Sequence, residues 1–234
     1  MSLYKLKKFI HAFMADEHSK LSYSQCGEDL IIDFLISQLK ISNFKYLDIG
    51  AHHPTYISNT FLFYEKGYSG VCIEPDPFLF KTIAKRRSKD KCLNIGVGLN
   101  NISSAPFYIM TEKTLNTFSK EEADKYASYG KQKIEQIIDL PLIRINDIIK
   151  NYFTSVPDFI SLDVEGMDLA ILTDFNFTLY RPKVWCIETL TYTENKTEKK
   201  IKETIDYMIS KDYLVYADTY INTIFVDRKT WFNR

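Results

Sequence analysis

The stretch Tyr46-Leu47-Asp48-Ile49-Gly50, followed by the polar loop Ala51-His52-His53-Pro54, has the form of a short buried strand feeding a turn. An apolar run this brief, without alternation, suits a strand covered on both faces, as in a parallel sheet. Downstream, Thr60 to Lys66 is helical in pattern, Gly70 ends a turn, and Val71-Cys72-Ile73-Glu74 is a second such run. Pro75-Asp76-Pro77 breaks that strand, since proline lacks a backbone donor, and Phe78 to Arg87 follows as an amphipathic helix. Cys92 to Val97 is a third strand. Upstream, Glu28, Asp29 and the run Leu30 to Leu35 form a helix for which Ser24 is the expected N-cap. Strand and helix thus alternate at the spacing of βαβ units, whose crossovers are right-handed.

The middle of the chain departs from this alternation. Pro106 to Gln132 holds a short strand around Phe107-Tyr108-Ile109, a polar stretch from Thr111 to Thr117 and a charged helical piece from Lys120 to Tyr129. These features describe an inserted cover at about residues 106–135, with Phe118 and the charged helix serving either as a lid or as a plain surface insertion. The alternation then resumes. Ile137 to Ile145 is extended, Asn146 caps a short helix, and Phe159 to Val164 and Val184 to Glu188 are the fourth and fifth buried strands. Lys196 to Ser210 has the pattern of a charged amphipathic helix, and Tyr213 to Ala217 with Thr223 to Val226 forms a closing antiparallel hairpin.

A length of 234 residues gives room for one substantial domain, expected at 23–234 behind an amphipathic helical extension at 1–22. In that extension Leu3, Leu6, Phe9, Ile10 and Phe13 fall at helical spacing. Packing on the domain is the favoured expectation, with a homodimer contact or a membrane-surface contact as alternatives. Its apolar run is too short for a signal peptide, and no run is long enough to insert stably in a membrane. Cys26, Cys72, Cys92 and Cys186 are scattered, without zinc spacing, so reduced thiols and a cytoplasmic location are expected. The formal net charge of zero gives no support for a nucleic-acid partner.

Asp48, Glu74, Asp163 and Glu188 each lie at the carboxyl end of an apolar run. In an open parallel sheet ligands bind outside those ends, where strand order reverses. Converging carboxylates suit a ligand with hydroxyl groups and positive charge. Gly50 allows close backbone approach to a ligand, and Glu74 at the next strand end suits two ribose hydroxyls. That arrangement is shared by NAD-binding and S-adenosylmethionine-binding folds. The GxGxxG fingerprint is absent, which disfavours a pyrophosphate ligand and an NAD-dependent oxidoreductase.

Taken with Ser24-Gln25-Cys26-Gly27-Glu28-Asp29, Ser58-Asn59-Thr60, Cys72-Ile73-Glu74-Pro75-Asp76-Pro77, Asp158 to Gly166 and Cys186-Ile187-Glu188, the chain resembles the FkbM family of S-adenosylmethionine-dependent methyltransferases from about Tyr23 to Glu188. The resemblance implies an α/β, Rossmann-like class I methyltransferase fold: a mostly parallel seven-stranded sheet with a C-terminal antiparallel hairpin. It also implies roles. Asp48 and Gly50 would shape the loop under the methionine part of the donor. Glu74 would hold the ribose, Asp76 would assist near the adenine, and Gly96 and Val97 would flank it. Gln25 and Asn59 would reach the donor or fix its loops, and Asp163 and Glu165 would face the sulfonium and the acceptor. His53-Pro54 and Thr189 depart from the family's usual residues, both on the substrate side.

Methyl transfer is an in-line displacement, so alignment of acceptor, methyl and sulfur is the main task. A hydroxyl acceptor must also lose its proton, and the candidates to take it are Asp163, Glu165, Glu188, His52 and His53. The alternative route is Mg²⁺ held by Asp163 and Glu188, whose hard oxygens suit that ion. The expected activity is O-methylation of a hydroxyl on a sugar, nucleotide-sugar or glycan precursor. The alternatives are N-methylation of a small amine or amino-sugar, and a non-catalytic scaffold.

Overall fold

The computed structural model describes residues 18–100, 102–193 and 197–234. The proposed helix in the N-terminal extension lies outside them, apart from the segment after residue 17. The first described helix, α1, spans Glu28–Gln38 and is followed by β1 (Tyr46–Ile49), α2 (Phe61–Glu65), β2 (Val71–Ile73), α3 (Pro77–Arg86) and β3 (Lys91–Leu93). Next come β4 (Gly96–Gly98), β5 (Ser104–Met110), α4 (Lys120–Ser128), β6 (Ile134–Arg144), α5 (Ile145–Tyr152), β7 (Phe159–Leu162) and α6 (Asp168–Asp174). The chain closes with β8 (Val184–Glu188), α7 (Lys202–Ser210), β9 (Tyr213–Asp218), β10 (Asn222–Asp227) and α8 (Arg228–Phe232).

The main sheet has seven strands in the order β3-β2-β1-β7-β8-β10-β9. All neighbours from β3 to β8 pair in parallel, and β10 runs antiparallel to both β8 and β9. This is the mostly parallel seven-stranded sheet with a C-terminal antiparallel hairpin that the sequence resemblance implies. Every residue of β1 and β7 is buried, as suits short, mostly apolar strands covered on both faces. Leu47, Ile49, Ile160, Leu162, Trp185 and Ile187 face one core cluster, and Tyr46, Phe159, Val184 and Cys186 the other. Fully burying a large apolar side chain contributes roughly 1.5–3 kcal/mol, so these strands hold the sheet without help from cross-links; the cysteines are free thiols.

Strand order reverses between β1 and β7, which pair through Ile49 and Leu162 at their carboxyl ends. That point is where an α/β sheet of this kind opens a ligand crevice.

Four local expectations are corrected. Gly27, at φ +89°, is the N-cap of α1 rather than Ser24; the Ser24 hydroxyl still accepts the Asp29 N–H at 3.3 Å from outside the helix. The single strand expected over Cys92 to Val97 splits in two. Asn94 donates its amide to the carbonyls of Glu74 and Pro75 at 2.9 and 2.6 Å, and this ties down the break. Thus β3 stays in the main sheet, whereas β4 joins β6 and β5 in a second sheet of three strands. Asn146 is not a cap, because Arg144 is the N-cap of α5. The Asn146 side chain bridges to the Asp174 carbonyl and the Asn176 N–H instead. The helix expected from Lys196 begins at Lys202.

The cover therefore rests on its own sheet. Between β5 and β6 lie a 3-10 turn at Lys113–Leu115 and helix α4, capped by Ser119, whose hydroxyl accepts the Glu122 N–H at 3.2 Å. Among the described residues no helix is long and apolar enough to cross a membrane.

Candidate active site

A cleft open to solvent lies at the carboxyl ends of β1, β2 and β7 beneath the cover. Of the residues picked out from the sequence, Gly50, His52, Glu74, Val97, Asp163 and Glu165 line it. Gly50 leaves β1 at φ +82°, and a Cβ there would stand 1.8 Å from the Asp163 carbonyl oxygen. The two strand ends approach so closely that only a residue without a side chain fits.

Glu74 is buried, with its carboxylate turned into the loop after β1. One oxygen accepts the His52 N–H at 2.7 Å and the other the Asp76 N–H at 2.8 Å. A carboxylate oxygen has two acceptor positions, so each oxygen keeps one for a ligand hydroxyl. Burial pushes Glu74 up to about 8, against the pull of these two N–H groups.

Asp163 and Glu165 follow β7. Asp163 is pushed up to about 6 by burial and then by the charge of Asp48. Glu165 is raised well above its ordinary range by burial and then by Asp163. Tyr126 of α4 donates its hydroxyl to one Glu165 oxygen at 2.8 Å, and Thr117 donates to the Glu165 carbonyl at 2.8 Å. Glu188, at the end of β8, does not line the cleft, but ligand oxygens of Asp163, Glu165 and Glu188 lie within 4.8 Å of one another. It too is raised, by burial and then by Asp163. His52 is held below the ordinary imidazole range by burial, so it is neutral and able to accept a proton at neutral pH.

Other sequence candidates stand apart from the cleft. The Asp48 carboxylate accepts from the Thr60 hydroxyl and lies 3.6 Å from the guanidinium of Arg87, in a buried network behind the sheet edge. Asn59 donates to the Ser161 hydroxyl at 3.1 Å and so fixes its loop against β7. Asp76 is the N-cap of α3, accepting from Phe78 and Leu79, and its second oxygen accepts from Asn116 of the cover at 3.1 Å. Gly96 lies behind the lining, where its missing side chain admits the Phe118 ring. Gln25 is exposed before α1. His53 accepts the Thr55 and Tyr56 N–H groups on Nδ1, which stiffens its loop. Thr189 is buried against the Thr223 hydroxyl at 2.6 Å.

Sequence reasoning missed Asp168 and Arg87, and it singled out Phe118 and the charged helix of the cover without Asn116 and Thr117, which bond Asp76 and the Glu165 carbonyl. Asp168 starts α6, accepts the Val164 N–H at 3.3 Å, and is raised to about 8 by burial and then by Asp163. Its signal was an acidic residue just beyond the Gly166 turn.

These raised carboxyls have a consequence for stability. At neutral pH the folded chain keeps protons that the unfolded chain has released, so the unfolding free energy falls as pH rises. His52 and His53, both lowered, act in the opposite sense below about pH 6.5. The Tm of the unliganded protein is therefore expected to drop by several degrees from about pH 6.5 to about pH 8.5. A flat or rising profile in a thermal melt would contradict the burial of Glu74 and Asp168.

The model of the FkbM methyltransferase domain matches residues 48–215. The chain belongs to the FkbM methyltransferase family. The match spans the cleft from Asp48 through Asp163 and Glu188 to the start of β9. No curated protein sequence matches the chain. Among solved structures it is similar to a TehB-like SAM-dependent methyltransferase from Corynebacterium glutamicum, at 10% identity and a TM-score of 0.41, over 96% of each chain. It is also similar to a putative caffeoyl-CoA O-methyltransferase from Staphylococcus aureus, at 12% identity and a TM-score of 0.44, over 97% of this chain and 92% of that one. A third is an O-methyltransferase from Bacillus cereus in complex with SAH, at 12% identity and a TM-score of 0.43, over 96% and 90%. As a member of the FkbM family the protein is an S-adenosylmethionine-dependent methyltransferase.

Proposed function

We propose that the protein methylates a hydroxyl of a sugar, nucleotide-sugar or glycan precursor, with Glu74 holding the donor ribose and the carboxyl groups after β7 receiving the acceptor. The observation that carries this reading is the placement of Glu74, Asp163 and Glu165 around one open cleft at the strand-order reversal. The residues fit the donor: Glu74 keeps one free acceptor position on each oxygen, and Gly50 brings the loop backbone to the cleft floor. When bound, the donor supplies an activated methyl group on a cationic sulfur. Beside that cationic sulfur the raised carboxyls of Asp163 and Glu165 shift toward their charged forms, in which they offset its charge. A proton leaving the acceptor hydroxyl passes to neutral His52 or to whichever of Asp163, Glu165 and Glu188 is then ionised. Such proton transfer is worth about 10²–10⁴-fold.

A second reading adds Mg²⁺ at Asp163 and Glu188. It is favoured by the three carboxylates, Glu165 included, whose oxygens lie within 4.8 Å. The ion would be held by these hard oxygens and would acidify a bound hydroxyl.

Glu74→Ala is expected to abolish most of the thermal shift given by S-adenosylhomocysteine, which in the parent protein reflects about 2.7 kcal/mol at 100 times Kd. An undiminished shift in the folded variant removes Glu74 from the ribose role. The acceptor is tested by mass spectrometry of sugars, nucleotide sugars and oligosaccharides incubated with enzyme and donor, with and without EDTA. Gain of one methyl on oxygen supports the hydroxyl reading, and gain on nitrogen replaces it with an amine acceptor. A reaction undiminished by EDTA discards the ion.

A further inference from the structure

Two of the four cysteines meet across the main sheet. In the parallel pairing of β2 with β3, Cys72 and Cys92 are register partners. Both side chains pack on the same face of the sheet, against one core cluster. Their thiols are in hydrogen-bond contact, with Cys72 as the donor. Their exposure differs. Cys72 is buried, whereas Cys92 is only partly covered, because β3 is the edge strand of the sheet. Cys26 lies in the exposed segment before α1, and Cys186 is buried in β8.

The two sulfurs also have different chemical surroundings. The hydrogen bond from Cys72, helped by the charge of Arg87, holds the Cys92 thiol below its ordinary range. Burial pushes the Cys72 thiol well above it. Cys72 therefore keeps its proton, and its Sγ lies 3.5 Å from Asp90 Oδ2, a second acceptor for that proton. The thiolate is the reactive form of cysteine. The sulfur that solvent can reach is thus the better nucleophile, and the hidden one stands beside it as a resolving thiol.

We propose that Cys72 and Cys92 are a reversible oxidation site, at which hydrogen peroxide joins β2 to β3 through a disulfide. The Cys92 thiolate attacks one peroxide oxygen and breaks the O–O bond. Cys92 becomes a sulfenic acid, and the departing hydroxide takes up a proton to leave as water. The Cys72 sulfur then attacks the Cys92 sulfur as its proton passes to Asp90, and the sulfenic oxygen leaves as a second water. Two thiols and one peroxide thus give one disulfide and two waters, with two electrons moving from sulfur to oxygen. Neighbouring strands lie about 4.7–4.9 Å apart, whereas the β-carbons of a disulfide lie about 3.5–4.5 Å apart. Closing the bond draws β3 toward β2, and a disulfide strained in this way is readily reduced. The link is reversible rather than a permanent staple.

The test exposes the folded full chain, freed of reductant, to hydrogen peroxide. Remaining thiols are then blocked with N-ethylmaleimide, and the protein is digested with trypsin for mass spectrometry. Trypsin releases Cys72 in the peptide 67–81 and Cys92 in the peptide 92–113. The two peptides are expected to appear joined, at their summed mass less two hydrogens, and to separate on treatment with dithiothreitol. Cys92→Ser abolishes the joined pair and leaves Cys72 as a free thiol. Cys72→Ala leaves the Cys92 sulfenic acid without its partner, so dimedone labels Cys92 several-fold more than in the parent. Cys26→Ser, which removes the exposed thiol, leaves the joined pair unchanged. If the Cys72 or Cys92 variant does not fold, the parent and Cys26→Ser measurements decide. Absence of the joined pair in the folded parent overturns the proposal. So does joining of either sulfur to Cys26 or Cys186 instead, or a link that dithiothreitol does not release.

Discussion

Gly50→Ala is expected to cost about 4 kcal/mol or more of stability, or to leave no folded protein, because two penalties coincide at one atom. A left-handed backbone at φ +82° costs a side-chain-bearing residue about 1–2 kcal/mol. The new Cβ would also meet the Asp163 carbonyl oxygen at 1.8 Å. The obstacle is backbone immediately after β7, so no rotamer change relieves it, and the end of β1 must separate from the end of β7 at the point where the cleft forms. Gly67→Ala is the internal control. Gly67 has φ +94°, and nothing lies within 4 Å of the place its added methyl would take, so only the conformational cost of about 1–2 kcal/mol applies. Urea unfolding of both variants separates the two penalties. Equal losses would show that the close approach at Gly50 is relaxed at little cost.

Arg87→Met is the second large effect. The Arg87 guanidinium is fully buried, donates from Nε to Asp90 at 2.7 Å and from Nη2 to Thr60 at 2.8 Å and to the Tyr46 hydroxyl at 3.2 Å, and lies 3.6 Å from Asp48. Methionine fills much of the volume but leaves Asp48 and Asp90 buried without their cation. Removing one partner of a buried ionic network typically costs about 3–5 kcal/mol, which for a chain of this length lowers Tm by roughly 10 °C. Asp48 is raised by burial and pulled down by Arg87. Without the arginine it rises further, so the deficit against the parent should shrink as pH is lowered. A loss below about 1 kcal/mol in denaturant melts would show that the network contributes no more than a surface pair.

The sheet was legible because buried parallel strands announce themselves locally. Tyr46 to Ile49, Val71 to Ile73, Phe159 to Leu162 and Val184 to Glu188 are short apolar runs separated by helical periods. The third run was misplaced because apolarity does not say which sheet a strand joins. Asn94 and the pairing of β4 with β6 decide that, through contacts remote in sequence. The carboxylates were legible as a set but not in their individual directions. Side chains alternate across a strand, so Asp48 shares a face with Tyr46, and both meet Arg87. Glu74 and Asp163 lie beyond the last residue of their strands and face the cleft.

Local pattern by itself determined the parallel α/β sheet, its closing hairpin and the acidic strand ends that mark the FkbM family, because burial and turn chemistry are written residue by residue. Only the folded chain decided that Gly50 touches the Asp163 carbonyl, that Asp48 serves a hidden arginine, and that Asn116, Thr117 and Tyr126 tie the cover to the loops around the cleft. Those partners are tens of residues apart or more, and they meet only because the strand order sets β7 beside β1 and carries the insertion back over both.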